Sequence, residues 1–334
     1  MISIIIPYFN NFYELKNNCK ILIKYLPKSS EIILVNDAST DNTQDNIKNF
    51  LQKFRKNKNK IVFLRNKKNK GPGPSRNLGA KNAKFENLVF IDSDIIIKKN
   101  TIKIIIENLK KYDAVIGIYS KKNCQSFIQR LKCYYYYSIF KINKNVKYSI
   151  FHSAIAGIKK KVFFDVGGFN PHFGTEIEYE NEEFGYRVVQ KKYKQYLVPN
   201  VEVHHQWGSD KKIIKTFIKR GAYYFQKILI TRKLEKNVLG NSEILKVVIN
   251  FLMVFAFFVS VFYINFLIFF LFTLYLHLKL NEKFYGILKK QNQNFIKYFF
   301  GILFLNICMV ISLFYGIFNT LINKNNFNKK FGKK

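Results

Sequence analysis

Glu31-Ile32-Ile33-Leu34-Val35-Asn36-Asp37 holds an unbroken apolar run that stops on an amide and a carboxylate. A short, β-branched run with no polar alternation is the pattern of a strand buried on both faces, as in parallel sheets covered by helices. Upstream, Ile2 to Ile6 is a second such run, closed by Pro7. Between the two, Phe12 to Tyr25 has apolar residues at helical intervals, with Pro27 after its end. Downstream, Thr43 to Phe54 reads as a helix, Ile61 to Leu64 as a strand and Leu88 to Ile91 as another, with a helix beginning near Ser75. Strands alternating with helices predict right-handed crossovers and an α/β fold with a doubly wound, mostly parallel sheet.

In such sheets ligands bind beyond the carboxyl ends of strands. Two acidic positions fall there. Asp37 can accept hydrogen bonds from a ligand or serve as a turn cap. Asp92-Ser93-Asp94 follows Leu88 to Ile91; strand alternation would put both carboxylates on one face, and paired hard oxygens suit Mg²⁺ or Mn²⁺ shared with phosphate. Between them, Asn69-Lys70-Gly71-Pro72-Gly73-Pro74-Ser75-Arg76-Asn77-Leu78-Gly79 combines glycines, a helix start and an arginine, features that favour an anion such as diphosphate. No Gly-Lys-Ser/Thr follows it, so it is not a Walker A loop. The first strand ends on Pro7-Tyr8-Phe9-Asn10 rather than GxGxxG, which disfavours a Rossmann dehydrogenase.

Glu176, Glu178, Glu180, Glu182 and Glu183 place five carboxylates within eight residues. Their mutual repulsion is expected to raise some of their pKa values and so to favour a proton acceptor, unless the cluster merely decorates a helix N-terminus. His204-His205 follows a short strand and offers metal ligands or structural imidazoles. Trp207, the single tryptophan, suits sugar stacking or a domain edge.

Charge and hydropathy divide the chain. Of 334 residues, 56 are Lys or Arg and 21 are Asp or Glu, and hydrophobic residues make up 48%. That apolar share excludes a disordered polycation. Four scattered cysteines without CxxC spacing argue against a disulfide framework or zinc site. No basic n-region precedes the first strand, so no cleaved signal peptide is expected. After residue 210 there are 20 basic and three acidic side chains, together with two uncharged stretches, Val247 to Leu278 and Tyr298 to Asn323. Each exceeds the roughly 20 residues that cross a bilayer as helix. Two or three spans are compatible with the lysines around them, the three-segment version turning near Tyr263-Ile264-Asn265. Lys211 to Lys236 has the apolar periodicity and basic flank of an interfacial helix facing anionic lipid. The expected organisation is a catalytic domain over 1–210, a basic amphipathic segment over 211–243, a membrane region over 244–323 and a basic tail over 324–334.

The segments Ser3-Ile4-Ile5-Ile6-Pro7-Tyr8-Phe9-Asn10, Val35 to Asp41, Asn69 to Gly79, Asp92-Ser93-Asp94, Gly167-Gly168-Phe169-Asn170 and Glu180-Asn181-Glu182-Glu183-Phe184-x-x-Arg187 resemble, in order and spacing, the inverting nucleotide-sugar glycosyltransferases of family 2, which have the glycosyltransferase-A fold. The resemblance covers about residues 1–210. It implies a nucleotide-sugar donor, a UDP-sugar first, bound near Pro7, Asp37, Arg76, Asp92 and Asp94, with Asp37 at the nucleobase and Asp92 at the ribose. It implies a divalent metal (Mn or Mg) held by Asp94 and Asp92 on the donor diphosphate, with His204 or His205 completing the shell. It also implies a single displacement with inversion, in which a carboxylate takes the acceptor's proton. The family's base is an Asp directly after a Glu, and Asn181 stands at that position. An amide is no base at neutral pH, so either Glu180 or Glu182 substitutes, or the alignment slips, or activity is impaired and the chain serves as a binding subunit. Because nucleotide sugars are cytoplasmic, the resemblance places the catalytic domain on the cytoplasmic side of the inner membrane. There it would use a lipid-linked saccharide or polyprenyl-phosphate acceptor in cell-envelope glycan synthesis. A nucleic-acid partner is not expected, since the positive charge accompanies the apolar runs.

Overall fold

The computed structural model describes residues 1–28, 30–53, 60–141, 144–173, 179–231 and 241–322. The chain forms two units: Met1–Asn123 with Phe140–Trp207, and Cys124–Ile139 with Gly208–Lys334. The expected 1–210 domain is thus interrupted, because residues 124–139 belong to the second unit.

The first unit begins with β1 (Ser3–Tyr8), α1 (Phe12–Tyr25), β2 (Glu31–Asn36), α2 (Thr43–Gln52) and β3 (Lys60–Arg65). It continues with α3 (Pro72–Lys81), β4 (Asn87–Ile91), β5 (Ile95–Ile97), α4 (Thr101–Leu109) and β6 (Ala114–Tyr119). The helix α5 (Phe127–Phe140) leaves it, and β7 (Val146–Lys147), β8 (Ile155–Lys159), α6 (Lys160–Asp165), α7 (Glu180–Gln190) and β9 (Gln195–His205) complete it. Strands cross the sheet in the order β3-β2-β1-β4-β8-β6-β9-β5, with β7 beside β9. β3, β2, β1 and β4 run parallel, as the alternation predicts. β8 runs antiparallel to both β4 and β6, and β9 is parallel to β6 but antiparallel to β5 and β7. The second half of the sheet is therefore mixed, which the apolar runs alone do not reveal. Ile4, Ile5 and Ile6 in β1 and Ile33, Leu34 and Val35 in β2 are fully buried. Leu15, Cys19 and Leu22 of α1 cover one face at helical spacing. Strand order reverses at β1, so the crevice for a ligand opens beyond the carboxyl ends of β1 and β4.

The second unit adds α8 (Asp210–Thr231), α9 (Asn241–Ser260), α10 (Phe266–Leu280), α11 (Glu282–Lys290) and α12 (Phe295–Ile322). Leu131 and Tyr134 of α5 are buried against Phe284 and Leu288 of α11 and Tyr298 and Ile302 of α12. The segment expected as a separate interfacial helix is α8, and it packs closely on α12. A Cβ on Gly316 would lie 2.7 Å from the Ala222 carbonyl, and one on Gly221 would lie 2.7 Å from Ser312 Cβ. Small residues at such crossings let helix backbones approach closely. Among the described residues α12, 28 residues long and containing an 18-residue stretch of mean hydropathy 2.2, is the one helix long and apolar enough to cross a membrane. The uncharged Val247 to Leu278 run is split by residues 261–265 into two shorter helices. The predicted basic tail over 324–334 lies outside the described residues.

Gly185 is where α7 meets the chain ahead of β8: a Cβ there would run into Ser149 O and Phe151 N. Both atoms are backbone, so neither can swing aside. Gly185→Ala is expected to destabilise the first unit by about 1–3 kcal/mol through overpacking, read as a lower thermal midpoint. An unchanged midpoint would show that α7 is free to shift.

Candidate active site

The turn after β2 begins the site. Asn36 Oδ1 accepts a hydrogen bond from Ser39 N at 2.7 Å, and Ala38 has a left-handed φ of 59°. Asp37, 4% exposed, accepts at its carboxylate from Asn66 Nδ2 (2.7 Å), Lys70 N (3.0 Å) and Gly71 N (2.7 Å). Its visible task is to pin the loop that leads into α3. Gly71, with φ 88°, permits that turn, and Pro72 then occupies the first helical position, where a missing N–H costs nothing. The helix accordingly starts at Pro72, three residues ahead of the predicted Ser75. Pro7 lies buried near the end of β1, opposite Val35.

Arg76, on α3, is 2% exposed. Its Nη2 donates to Asp92 Oδ1 at 2.6 Å, and its Nη1 lies 3.4 Å from Glu180 Oε1. Burial opposes its charge, but the two carboxylates outweigh that and hold its pKa above the ordinary guanidinium value. The next residue, Asn77, clasps Phe169: its Oδ1 accepts from Phe169 N (2.8 Å) and its Nδ2 donates to Phe169 O (2.7 Å). Gly168, with φ 66°, precedes the clasp, and a Cβ there would lie 2.8 Å from Asn77 Oδ1. Thus Arg76-Asn77 on one side and Gly168-Phe169 on the other form a single joint.

Asp92-Ser93-Asp94 is a turn between β4 and β5 rather than extended strand, and its two carboxylates part company. Asp92 goes to Arg76, and its carbonyl accepts from Ile95 N at 3.1 Å, closing the turn. Asp94 Oδ2 stands 3.6 Å from His205 Nε2. The β5–β9 register pairs Ile95 with His205, and strand alternation sends His204 to the other face. There His204 Nδ1 meets Ser120 Oγ at 2.5 Å, and burial, then the nearby Lys98, hold its pKa below the usual imidazole value. Among the described residues no cluster of three or more His, Cys, Asp or Glu side chains could cage a metal. One carboxylate oxygen and one imidazole nitrogen do fit an ion whose remaining positions are taken by phosphate oxygens and water.

Around this pair stands an aromatic wall. The Tyr119 ring lies edge-on to His152 (4.7 Å), His205 (4.9 Å) and Trp207 (5.7 Å), and His205 contacts Trp207 at 4.4 Å. Tyr119, Ser120 and His152 carry no local sequence signal; topology alone brings them here. So too for Asn66, which links Asp37 to Ser75 Oγ (2.8 Å).

On α7 the glutamates do not simply repel one another. Glu180 is held by Arg76, and Glu183 by a two-point pair with Arg187 (2.6 and 2.8 Å), whose guanidinium also donates to Gly168 O. Glu176 and Glu178 lie outside the described residues. Asn181 is 9% exposed; its Oδ1 accepts from Ser153 N at 3.4 Å and its carbonyl from Phe151 N at 3.1 Å. The residue at the predicted base position therefore ties the segment ahead of β8 to α7. Glu182 is equally buried, on the first turn of the same helix.

The model of the family described as Glycosyl transferase family 2 matches residues 3–167. Glycosyltransferase GlyG of Streptococcus pneumoniae is 31% identical over 121 residues, 36% of this chain and 39% of that protein. Poly-beta-1,6-N-acetyl-D-glucosamine synthase of Staphylococcus aureus is 25% identical over 198 residues, 56% of this chain and 47% of that protein. The chain thus spans less than half the length of these curated relatives. Among solved structures, the mannosyltransferase PcManGT from Pyrobaculum calidifontis, in complex with GDP-Man and Mn²⁺, matches 94% of this chain and 86% of its own. Its TM-score is 0.61 at 14% identity. GalNAc-T7 with UDP, GalNAc and Mn²⁺ matches 69% of this chain and 48% of its own, with TM-score 0.52 and 16% identity. At these identities the shared property is the glycosyltransferase-A fold.

Removing the charge of Arg76 leaves two carboxylates facing a site built for a cation. Arg76→Met is expected to cost about 3–5 kcal/mol of stability, as breaking a buried ion pair does, and Arg76→Lys to recover part of it. In the Met variant the folded state should take up protons more readily than the unfolded chain. Its deficit should then shrink as pH falls from 7 towards 5, measured by urea unfolding across that range. A pH-independent deficit would remove Arg76 from its role as the counter-charge.

Proposed function

With residues 3–167 belonging to glycosyl transferase family 2, we propose that this protein is a membrane-attached, inverting glycosyltransferase. It takes a sugar from a nucleotide-sugar donor, a UDP-sugar first, and gives it to a lipid-linked saccharide or polyprenyl-phosphate acceptor at the cytoplasmic face of the inner membrane, in cell-envelope glycan synthesis. The observation that carries the chemistry is the Asp94–His205 pair beyond β4, joined through the Asp92 turn and Arg76 to the glutamates of α7. Support for the donor class comes from the GDP-Man and UDP complexes of proteins with the same fold, and for a saccharide product from the poly-N-acetylglucosamine synthase relative. Support for membrane attachment comes from α12 and from the exposed apolar side chains of α9, α10 and α12.

The roles follow from position. Pro7 and Asp37 sit at the strand ends where the nucleobase would lie, Asp37 acting by fixing the Lys70-Gly71 backbone. Asp92 reaches the ribose side while Arg76 holds it. Of the two histidines expected, His205 rather than His204 faces Asp94, and Asp94 and His205 would hold the divalent ion, Mn²⁺ or Mg²⁺. That ion would offset charge on the departing diphosphate. The acceptor oxygen attacks the anomeric carbon as the bond to the diphosphate breaks, its electron pair leaving with the diphosphate. Glu182, a buried carboxylate on the first turn of α7, takes the acceptor's proton in place of Asn181, whose amide has no basic atom.

Detergent-solubilised protein should transfer sugar from one nucleotide sugar only when Mn²⁺ or Mg²⁺ is added, and Asp94→Asn or His205→Ala should lose that response. Glu182→Gln should lower turnover by about 10²–10⁴-fold while donor affinity, followed by calorimetry, stays near wild type. Wild-type turnover in Glu182→Gln would return the base to Glu180. Donor binding without turnover in the wild type would favour the binding-subunit reading that Asn181 also suits.

A further inference from the structure

Residues 261–269 are nine consecutive exposed positions. Eight of them are apolar, the other being Asn265. Val261 is 68% exposed, Phe262 82%, Tyr263 68% and Ile264 72%. They form the tip of a hairpin. α9 and α10 pack side by side, with Phe257 and Phe270 ring centroids 5.4 Å apart, and the chain reverses between residues 260 and 266. Contiguous exposed apolar patches of this kind mark a surface that is covered by something other than water, a membrane among them.

The arms are short. Their apolar stretches are Leu245–Ser260 and Phe266–Leu280. At about 1.5 Å per residue they rise about 22–24 Å, less than the roughly 30 Å of a hydrocarbon core. Polarity is graded along both arms in step. At the open end stand Lys246 and Lys279, and just inside them Asn250 bonds the His277 ring, whose Nε2 meets Tyr285 OH at 2.5 Å. Nearer the tip, Ser260 Oγ bonds Phe257 O at 2.7 Å, and Thr273 Oγ1 bonds Phe269 O and Phe270 O at 3.0 and 2.9 Å. Hydroxyls satisfied within their own helix are what hydrocarbon requires.

We infer that α9 and α10 form a re-entrant hairpin. It enters the bilayer from the face where residues 246 and 279 lie, rests its tip in hydrocarbon, and leaves by the same face. The partner is the lipid bilayer itself. Lys246 and Lys279 stand at the open end of the two arms, and Lys283, Lys289 and Lys290 follow on α11, a basic complement to anionic headgroups. The hairpin therefore contributes depth of anchoring without a crossing, and α12 alone carries the chain across. This inference rests on the membrane attachment proposed above.

The test uses the full-length protein in vesicles of phosphatidylcholine and phosphatidylglycerol, permeabilised so that a membrane-impermeant maleimide reaches both aqueous faces. Phe262→Cys, Ile264→Cys and Asn265→Cys are labelled one at a time, with Gln291→Cys after α11 as the aqueous control, and modified peptides are resolved by mass spectrometry. The hairpin predicts that all three tip positions react at least about tenfold more slowly than the control, since a thiol in hydrocarbon neither ionises nor meets the reagent, and that detergent removes the difference. Any tip position labelled as fast as the control, in protein that floats with the vesicles, overturns the re-entrant reading and makes the hairpin a pair of spans. Protein that fails to float overturns membrane attachment, and the inference with it.

Discussion

A buried guanidinium organises the first unit. Arg76 lies between Asp92 and Glu180, almost without contact with water. None of these charges could be buried alone, because the desolvation penalty of each is several kcal/mol. Together they fasten three separate pieces of chain: α3, the turn after β4 and the start of α7. Around that ion triad the neighbouring contacts fall into place. Asn77 clasps Phe169, Arg187 binds the carbonyl of Gly168, and Asp37 holds the loop from which α3 departs. α3, the turn after β4 and α7 are thereby set against one another by charge, not only by apolar packing.

The same economy explains the acidic segment. Two of its described glutamates neutralise arginines, and the amide in the middle bonds the backbone ahead of β8. Beneath them lies a cluster of buried rings, Phe90, Phe151, Phe163, Phe169 and Phe184, with Phe169 and Phe184 stacked at 4.6 Å. Only glycine at 185 lets the helix approach its neighbour closely enough to close that cluster. The second unit is built differently. His277 bonds Asn250 and Tyr285, the α8–α12 crossing is lined by Gly221, Ala222, Ser312 and Gly316, and many apolar side chains of α9, α10 and α12 are exposed.

Much of the first unit is legible residue by residue. The runs at Ile4–Ile6 and Ile32–Val35 announce the parallel strands because both faces are covered and no position need be polar. The start of α3 is less so: Pro72-Gly73-Pro74 reads as a turn, yet proline at the first helical position loses no hydrogen bond, so the helix begins there. The choice between His204 and His205 depends on a strand register that adjacent residues cannot express. The excursion of α5 into the second unit is likewise silent, since Leu131 and Tyr134 would look the same buried in either.

By itself the sequence determined which segments are strands and helices in the parallel half, where the chain turns apolar and uncharged, and that the carboxylates after β2 and β4 stand at strand ends. Those follow from local periodicity and composition, which act within a few residues. Only the tertiary structure decided that Asp92 belongs to Arg76 while Asp94 belongs to His205, that Asn181 is a tie, and that the longest uncharged run folds back on itself. These depend on contacts between residues tens to more than a hundred positions apart, whose energies no local pattern records.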